Sequence, residues 1–346
     1  MASTVVHGNP ASPVPDYGNV RAEFAALLSS CGISDLGART KIALTGGDRV
    51  RWLNGMVTNN IRDLVAGRGV YAFLLNPQGH ILGDLYAFNR GDSILIDSDE
   101  SQSEKLLATF DHYIIMDDVE VANVSDKLAA VGIAGPKARE VLRAVRFEIS
   151  TLEPLQFVNI SWQSVAVTVV CGDNPGVESF ELWLAPDQVT PLWHALTKAG
   201  ATPAGATALE LLRIAAGIPR YGQDIRERDL PQETEQQRAL HFSKGCYIGQ
   251  EIVERIRSRG NVHRKFTGFD VQGALPAVST KIQAAGRDVG EITSAASLPL
   301  GGGERLAALG YIRREIATPG RQFQVGSTQL SVAALPFSEI FRRESP

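Results

Sequence analysis

The amino-acid sequence predicts an α+β protein that ends in a small all-β domain. From residue 20 to about residue 262, runs of strand-forming residues alternate with segments of helical spacing, which is typical of α+β units. After Arg264 short strands divided by glycines follow, which favours a barrel-like domain. The start of the chain, rich in Ala, Ser, Pro, Val and Gly, shows neither pattern. We therefore expect a disordered tail over residues 1–19, an α+β domain over 20–262 and a β-barrel domain over 263–346.

The first α+β unit begins with helical spacing of apolar residues from Val20. A strand is expected around Ile42, and the Gly46-Gly47 pair after it is a turn signal. A helix then starts near Asp48 and ends before the polar Thr58-Asn59-Asn60 segment. Most apolar positions in this part are expected to be core.

Three runs of strand-forming residues follow, at 70–75, 81–88 and 93–97. Strong turn sequences rich in Asn, Gly and Pro or Asp separate them, so we predict an antiparallel meander. Apolar spacing predicts a helix over 103–114, and Pro136 stands at a favourable first-turn position for another. Together these elements form an α+β unit.

A second α+β unit is predicted after the first. Strand-forming residues fill 157–171 and 179–184, and helical spacing follows over 186–198 up to Gly200. In the last part of the chain, glycines mark the turns between short strands. These turn candidates are Gly286, Gly290, Gly301, Gly302, Gly303, Gly310, Gly320 and Gly326.

Composition and charge exclude several classes of protein. The chain has 346 residues, of which 44% are hydrophobic and 21% charged, as in an ordinary globular protein of about two domains. Thirty-eight acidic against 34 basic residues give a net charge of -4, so the whole protein is not a general polyanion binder. Direct nucleic-acid binding is therefore not expected.

Targeting and metal signals are equally sparse. No run approaches the roughly 18 to 20 apolar residues that span a bilayer, and residues 1–19 contain no Lys or Arg for a secretory or mitochondrial signal. We expect a cytoplasmic protein without membrane contact. The three cysteines, at 31, 171 and 246, form no Cys-x-x-Cys pair, so disulfide scaffolding and a resident metal site are not expected.

The most unusual stretch is residues 244–251, Lys-Gly-Cys-Tyr-Ile-Gly-Gln-Glu, called the signature segment below. Its glycines permit tight turns, and Lys244 would favour a Cys246 thiolate if the two side chains converge. The alternative is that Cys246 is a small buried apolar group at the entry to a helix over 251–257. The candidate residues of the segment are Lys244, Gly245, Cys246, Tyr247, Gly249, Gln250 and Glu251.

The signature segment resembles that of the YgfZ-type folate-binding proteins, relatives of the glycine-cleavage T-protein that serve iron-sulfur enzymes. Further matches in family order extend the resemblance over roughly residues 20–340. They comprise residues 209–225, Leu230, Pro231 and Glu233, and residues 290–294 and 308–312. The resemblance implies an aminomethyltransferase-like folate-binding domain of ferredoxin-like subdomains, a C-terminal β-barrel, and tetrahydrofolate or a derivative as cofactor.

The same resemblance implies site residues. Asp84 matches the second acid of the T-protein's Asp-Asp pair, whose first acid is Gly83 here, and would assist one-carbon transfer at the folate. Glu181 aligns with an acid that can accept paired hydrogen bonds from a pterin, and Arg220 and Tyr221 are weaker candidates for the pocket. Locally, Asp84 could equally be a turn acid, and Glu181 the outward face of a half-buried strand.

Five cationic residues are concentrated on either side of residue 260 in the sequence. This cationic cluster can hold the glutamate tail of a folate or a phosphate, or it can be a solvated linker between the two domains. Its members are Arg255, Arg257, Arg259, Arg264 and Lys265.

Three functions remain open. The leading one is a tetrahydrofolate-binding protein that supports assembly or repair of iron-sulfur clusters in client enzymes, with a functional thiol at Cys246. The alternative is a T-protein-like aminomethyltransferase, although the T-protein's Phe-Asp-Val-Ser-His-Met segment is absent near Ser34 to Ala38. The third is a non-catalytic scaffold with a vestigial folate pocket. Folate and client enzymes are the expected partners.

Overall fold

The computed structural model describes residues 13–37, 39–260 and 262–342. The helices in these residues lie on the outer faces of the sheets or between them. In chain order they are α1 (Val20–Ser29), α2 (Arg49–Met56), α3 (Ser103–Tyr113), α4 (Ala138–Ala144), α5 (Val189–Lys198), α6 (Ala206–Ala216), α7 (Gln250–Arg259) and α8 (Ser338–Phe341).

The strands of the described residues form three sheets. In chain order they are β1 (Gly32–Asp35), β2 (Arg39–Thr45), β3 (Arg68–Leu75), β4 (Ile81–Asn89), β5 (Ile94–Asp99), β6 (Glu120–Asn123), β7 (Ala129–Ala134), β8 (Phe157–Trp162), β9 (Val165–Cys171), β10 (Ser179–Leu184), β11 (Thr202–Pro203), β12 (Arg264–Gln272), β13 (Lys281–Ala284), β14 (Arg287–Leu300), β15 (Gly303–Arg313), β16 (Gln322–Val325) and β17 (Thr328–Ala333).

The first sheet has the strand order β3-β4-β5-β2-β6, and its pairs are antiparallel. The predicted meander is its β3-β4-β5 part. One face packs on α2 and α3 through side chains such as Leu53 and Phe110. This burial explains the helical apolar spacing of those two segments, since each helix has to cover a stripe of the sheet.

The second sheet has the order β11-β1-β7-β10-β9-β8, with α4 and α5 covering one face. The two sheets bury their other faces against each other around Phe88 and Trp183, whose ring centroids are 4.9 Å apart. Strand β1 pairs with β7, so the start of the chain belongs to the second sheet. The two α+β units therefore interleave, and the expectation that one follows the other along the chain is corrected.

The third sheet is antiparallel throughout, with the order β13-β14-β15-β12-β17-β16, and it nearly closes into a barrel. Its interior is filled by side chains from all six strands, such as Phe269 and Ile292. Its outer side packs on α1 and α6 through residues that include Phe24, Leu212 and Phe266. The predicted α+β class with a terminal barrel-like domain is confirmed. No helix within the described residues is long and apolar enough to cross a membrane.

The predicted disordered tail needs a correction. Residues 1–12 lie outside the described residues, but the rest of the tail is held against α6. The carbonyls of Val14 and Pro15 each accept a hydrogen bond of 2.9 Å, from the amides of Ala206 and Thr207. The first amides of a helix have no partner inside it, so the tail carbonyls satisfy them and become ordered.

Candidate functional site

Asp84 lies on β4, on the face of the first sheet that is turned toward the second. Its Oδ2 accepts a hydrogen bond of 2.6 Å from the Tyr71 hydroxyl, and its Oδ1 accepts one of 2.7 Å from Nε2 of Gln102. The Asp84 amide in turn donates to Oε1 of Gln102 at 2.9 Å. The carboxyl is therefore held in one orientation by two side chains.

Burial raises the pKa of Asp84, while hydrogen bonds from Tyr71 and Gln102 and the charge of Arg39 oppose this without cancelling it. A carboxyl with a raised pKa can hold or release a proton nearer to neutral pH, which suits general acid–base work. Gly83 assists the geometry, because a Cβ there would lie 2.9 Å from Oε1 of Gln102.

Aromatic rings and an ion pair surround this carboxyl. The rings of Tyr71 and Tyr86 have centroids 4.9 Å apart, and the guanidinium of Arg238 lies over Tyr71 at 4.6 Å from its centroid. Arg238 also forms an ion pair with Asp173, to which the Tyr86 hydroxyl donates at 3.4 Å. The wall beside Asp84 thus offers flat rings for stacking and a cation at its edge.

A cavity of about 560 Å³ opens at this ion pair and runs toward the third sheet. Asp173 and Arg238 line one part of it, and Lys265 lines another. The other lining residues are Pro175, Ala216, Gly217, Ile218, Glu235, Gln236, Gln237, Phe266, Thr267, Ala317, Pro319, Ala333, Ala334, Leu335 and Pro336. Its size is in the range of small-molecule and cofactor sites.

Glu181 lies on β10, half-buried, and its Oε2 accepts a hydrogen bond of 2.8 Å from Nε1 of Trp183. The Trp183 ring is covered by the ammonium of Lys41, at 3.7 Å from the centroid. Glu181 therefore faces the junction of the two sheets, as Asp84 does, and is not the solvated outer face of a strand.

A buried group of charges supports Glu181 from the first sheet. Asp97 accepts from Nζ of Lys41 at 2.7 Å and from Nε and Nη2 of Arg39 at 3.1 and 2.5 Å. Burial opposes ionisation of Asp97, but the two cations outweigh it and hold its pKa below the ordinary value. Burial lowers the pKa of Lys41, against the attraction of Asp97 and Glu181.

The two weaker candidates are engaged with other protein groups. Arg220 pairs with Glu210, and its guanidinium is partly exposed. The Tyr221 hydroxyl donates to the carbonyl of Leu82 and accepts from Lys105. Tyr221 thus braces the strand that carries Asp84, whereas Arg220 has its ion-pair partner away from that carboxyl.

The signature segment is anchored by Lys244, which is only 9% exposed. Its ammonium donates to the carbonyls of Asn54, Val57 and Asn59 at 2.6, 2.5 and 2.6 Å. All three donor hydrogens are thereby used, so none is left for a hydrogen bond to Cys246. Burial, with the charge of Arg62 added, lowers the pKa of Lys244 to about 7. The three carbonyl acceptors favour the charged form.

The rest of the segment turns around Cys246, which is exposed and therefore not a buried apolar group. Gly249 has a φ of +80°, and a Cβ there would lie 2.5 Å from the carbonyl oxygen of Asn76. The Tyr247 ring lies 5.0 Å from the Lys244 ammonium. The helix then begins at Gln250, and the ends of the segment fit tightly between α2 and the β3–β4 turn.

Most of the predicted cationic cluster is paired within the protein. Arg255 pairs with Glu251 and Arg257 with Glu254 along α7. Arg264 pairs with two buried acids, Asp229 at 2.6 Å and Glu233 at 2.9 Å. The side chain of Arg259 lies outside the described part of the chain. Of this cluster, Lys265 lines the 560 Å³ cavity.

Sequence reasoning missed four residues around Asp84: Tyr71, Gln102, Asp173 and Arg238. A signal existed for Tyr71, because the predicted turn between β3 and β4 sets their register and places Tyr71 opposite Tyr86. Gln102 lies at the start of α3, Asp173 in a loop and Arg238 in a short 3₁₀ helix, and no spacing rule predicts that any of them reaches the sheet.

Comparisons with known proteins agree with this architecture. The profile of the family described as the GCVT N-terminal domain matches residues 14–244. The chain is 29% identical to an aminomethyltransferase of Rubrobacter xylanophilus over 302 residues, covering 86% of this chain and 80% of that protein. It is also 29% identical to an aminomethyltransferase of Halothermothrix orenii over 321 residues, covering 89% and 87%.

Among solved structures, the chain is similar to the glycine cleavage system aminomethyltransferase T from Bartonella henselae. The TM-score is 0.82 at 21% identity, with 92% of this chain and 89% of that chain covered. At this identity the likeness establishes the shared fold.

Proposed function

The chain belongs to the family of the GCVT N-terminal domain, and on that premise we propose that it binds tetrahydrofolate, or a derivative, beside Asp84 and transfers an aminomethyl-derived carbon unit to it. The observation that carries this proposal is the Asp84 carboxyl, held by Tyr71 and Gln102 with a raised pKa. The names of the relatives support the reaction class. This reverses the order of the functions expected from the sequence.

The residues present fit a reduced folate. Tyr71 and Tyr86 offer ring faces to a pterin. Oε2 of Glu181 accepts from Trp183, and its Oε1 has no hydrogen-bond donor among the residues that the structure describes. The 560 Å³ cavity, with Arg238 and Lys265 along it, suits an elongated molecule with an anionic end. When bound, tetrahydrofolate supplies the nitrogen that accepts the carbon unit.

Asp84 is the residue that would hold or give up a proton during transfer. Tyr71 donates to one oxygen and Gln102 to the other, so both favour the ionised form, while burial favours the neutral one. This balance keeps either form accessible. As part of the proposal, residues 20–262 form the folate-binding domain and residues 263–346 the barrel that closes the cavity.

Calorimetric titration with tetrahydrofolate tests the binding step. Wild type should bind saturably, Glu181→Gln should bind more weakly, and the exposed Glu140→Gln should match wild type. Turnover of an aminomethyl-loaded lipoyl carrier protein should fall on the order of 10²-fold or more in Asp84→Asn. Absence of binding in wild type would reject the proposal and leave the scaffold function.

A second candidate function is the YgfZ-type role in iron-sulfur cluster assembly or repair. One observation favours it: Cys246 is exposed between Lys244 and Gly249, the two residues that hold the signature segment in place. In this role Cys246→Ser should lower the activity of iron-sulfur client enzymes in cells that lack the endogenous protein, with folate affinity unchanged. Aminomethyl transfer predicts instead that Cys246→Ser is tolerated and Asp84→Asn is not.

A further inference from the structure

Lys244 contacts one short stretch of backbone. Its three acceptors, the carbonyls of Asn54, Val57 and Asn59, lie at the end of α2 and just beyond it. An ammonium has three donors and no acceptor, so it matches three converging carbonyls that no neutral side chain can satisfy. Its charge also complements the carboxyl end of the helix.

The stretch that Lys244 holds is bonded in turn to the pocket. Nδ2 of Asn59 donates to the carbonyls of Tyr71 and Arg238, both at 2.8 Å. The neighbouring Thr58 hydroxyl donates to the carbonyl of Ala239 at 2.6 Å and accepts from the Phe73 amide at 2.9 Å. These bonds join strand β3 to the segment around residue 238.

Tyr71 and Arg238 are the two groups that face the ligand site from this side. The Tyr71 hydroxyl donates to Asp84, and the Arg238 guanidinium lies over the Tyr71 ring. Since Asn59 bonds to the backbone of both, a shift of Asn59 moves both together. The distances from Lys244 through Asn59 to Tyr71 are all those of good hydrogen bonds.

We propose that Lys244 is a positioning residue of the Asp84 pocket: its ammonium fixes Asn59, and Asn59 fixes Tyr71 and Arg238. The competing role is purely structural, in which Lys244 stabilises the fold but leaves the pocket unaffected. The proposal rests on the proposed function only in using tetrahydrofolate as the ligand whose affinity is measured. Amide hydrogen exchange on strand β3 tests the same contacts without any ligand.

The test compares Lys244→Met, Asn59→Ala and the double variant with Ser243→Ala, an exposed neighbour in the same loop. Each is measured in the range where unfolding curves show it fully folded. We expect tetrahydrofolate affinity to fall about tenfold or more in either single variant, and no further in the double. Exchange of the Phe73 amide should accelerate in Lys244→Met.

Ser243→Ala should match wild type in both measurements. The proposal would be overturned if Lys244→Met bound tetrahydrofolate as tightly as wild type and its Phe73 amide exchanged at the wild-type rate. It would also be overturned if the losses of affinity in the two single variants added up in the double variant. If Lys244→Met does not fold, the affinity of Asn59→Ala for tetrahydrofolate tests the proposal. An affinity equal to that of wild type in Asn59→Ala would overturn it. If wild type itself binds no folate, the proposed function fails, while Phe73 exchange still tests the role of Lys244.

Discussion

A group of buried charges lies between the first and second sheets. Its anion, Asp97, and one of its cations, Lys41, should contribute very differently to the free energy of unfolding. Asp97 is 2% exposed and Lys41 is fully buried, while Arg39 reaches partly into solvent. Asp97 has two cationic partners, but Lys41 has Asp97 as its direct ion-pair partner. We compare Lys41→Met with Asp97→Asn, two substitutions of similar volume.

Lys41→Met removes an ammonium whose pKa burial lowers, and Asp97 keeps its two-bond pair with Arg39. The change in unfolding free energy should stay within about 1 kcal/mol, since a burial cost disappears with the ion pair. Asp97→Asn instead leaves the Lys41 charge buried without its carboxylate. Breaking a buried pair in this way costs about 3–5 kcal/mol.

Urea unfolding at neutral pH measures the change in unfolding free energy of both variants, provided that the dependence of this free energy on urea concentration is the same as in wild type. Equal losses in the two variants, or a loss below about 1 kcal/mol in Asp97→Asn, would refute the reasoning. The pH dependence gives an independent check. Because the folded pKa of Asp97 is lowered, its contribution is present above the unfolded pKa and lost as pH falls through the folded one. Asp97→Asn should therefore flatten the acid side of the stability curve.

Three further outcomes are expected. Gly249→Ala should destabilise by about 1–3 kcal/mol in urea unfolding, because its φ is +80° and its Cβ would meet the Asn76 carbonyl. Gly260→Ala, with an extended φ of -159° and nothing within 4 Å of its Cβ, should have little effect. Burial opposes ionisation of Glu291, but Lys281 and Arg226 outweigh it and lower its pKa to about 2. Its contribution is thus present above pH 4.5 and lost toward pH 2, and Glu291→Gln should remove that slope in pH-dependent unfolding. Tyr71→Phe should raise the pKa of Asp84 further in a carboxyl NMR titration, because a donor to the ionised form is lost; an unchanged titration would contradict the assigned hydrogen bond.

Local sequence rules succeed where partners are close in the chain. The β3–β4 hairpin follows from its turn and from alternating apolar residues, and its register places Phe73 opposite Asp84. The rules fail for β1, whose partners β7 and β11 are distant in sequence. They also miss the β8–β9 turn, since Gln163 and Ser164 adopt positive φ without the glycine or asparagine that announces such turns.

The candidate site shows the same limit. Asp84 and Glu181 were found through a family resemblance, because each alone looks like an ordinary strand acid. The contacts of Lys244 could not be predicted, since its acceptors lie 185 to 190 positions earlier in the chain. Because Lys244 is close to Cys246 in the sequence, an effect of its charge on the thiol is expected. The folded chain places the ammonium against three backbone carbonyl oxygens.

The arrangement around Lys244 decides how the two candidate functions can be separated. A replacement of Lys244 would disturb Tyr71 through Asn59, so a loss of client-enzyme activity in that variant would reflect the folate pocket as much as the thiol. A replacement of Gly249 would be equally ambiguous, because its Cβ would collide with the turn between β3 and β4. Cys246 has an exposed side chain, so its replacement need not move the pocket. Only a Cys246→Ser effect with unchanged folate affinity can therefore be assigned to thiol chemistry.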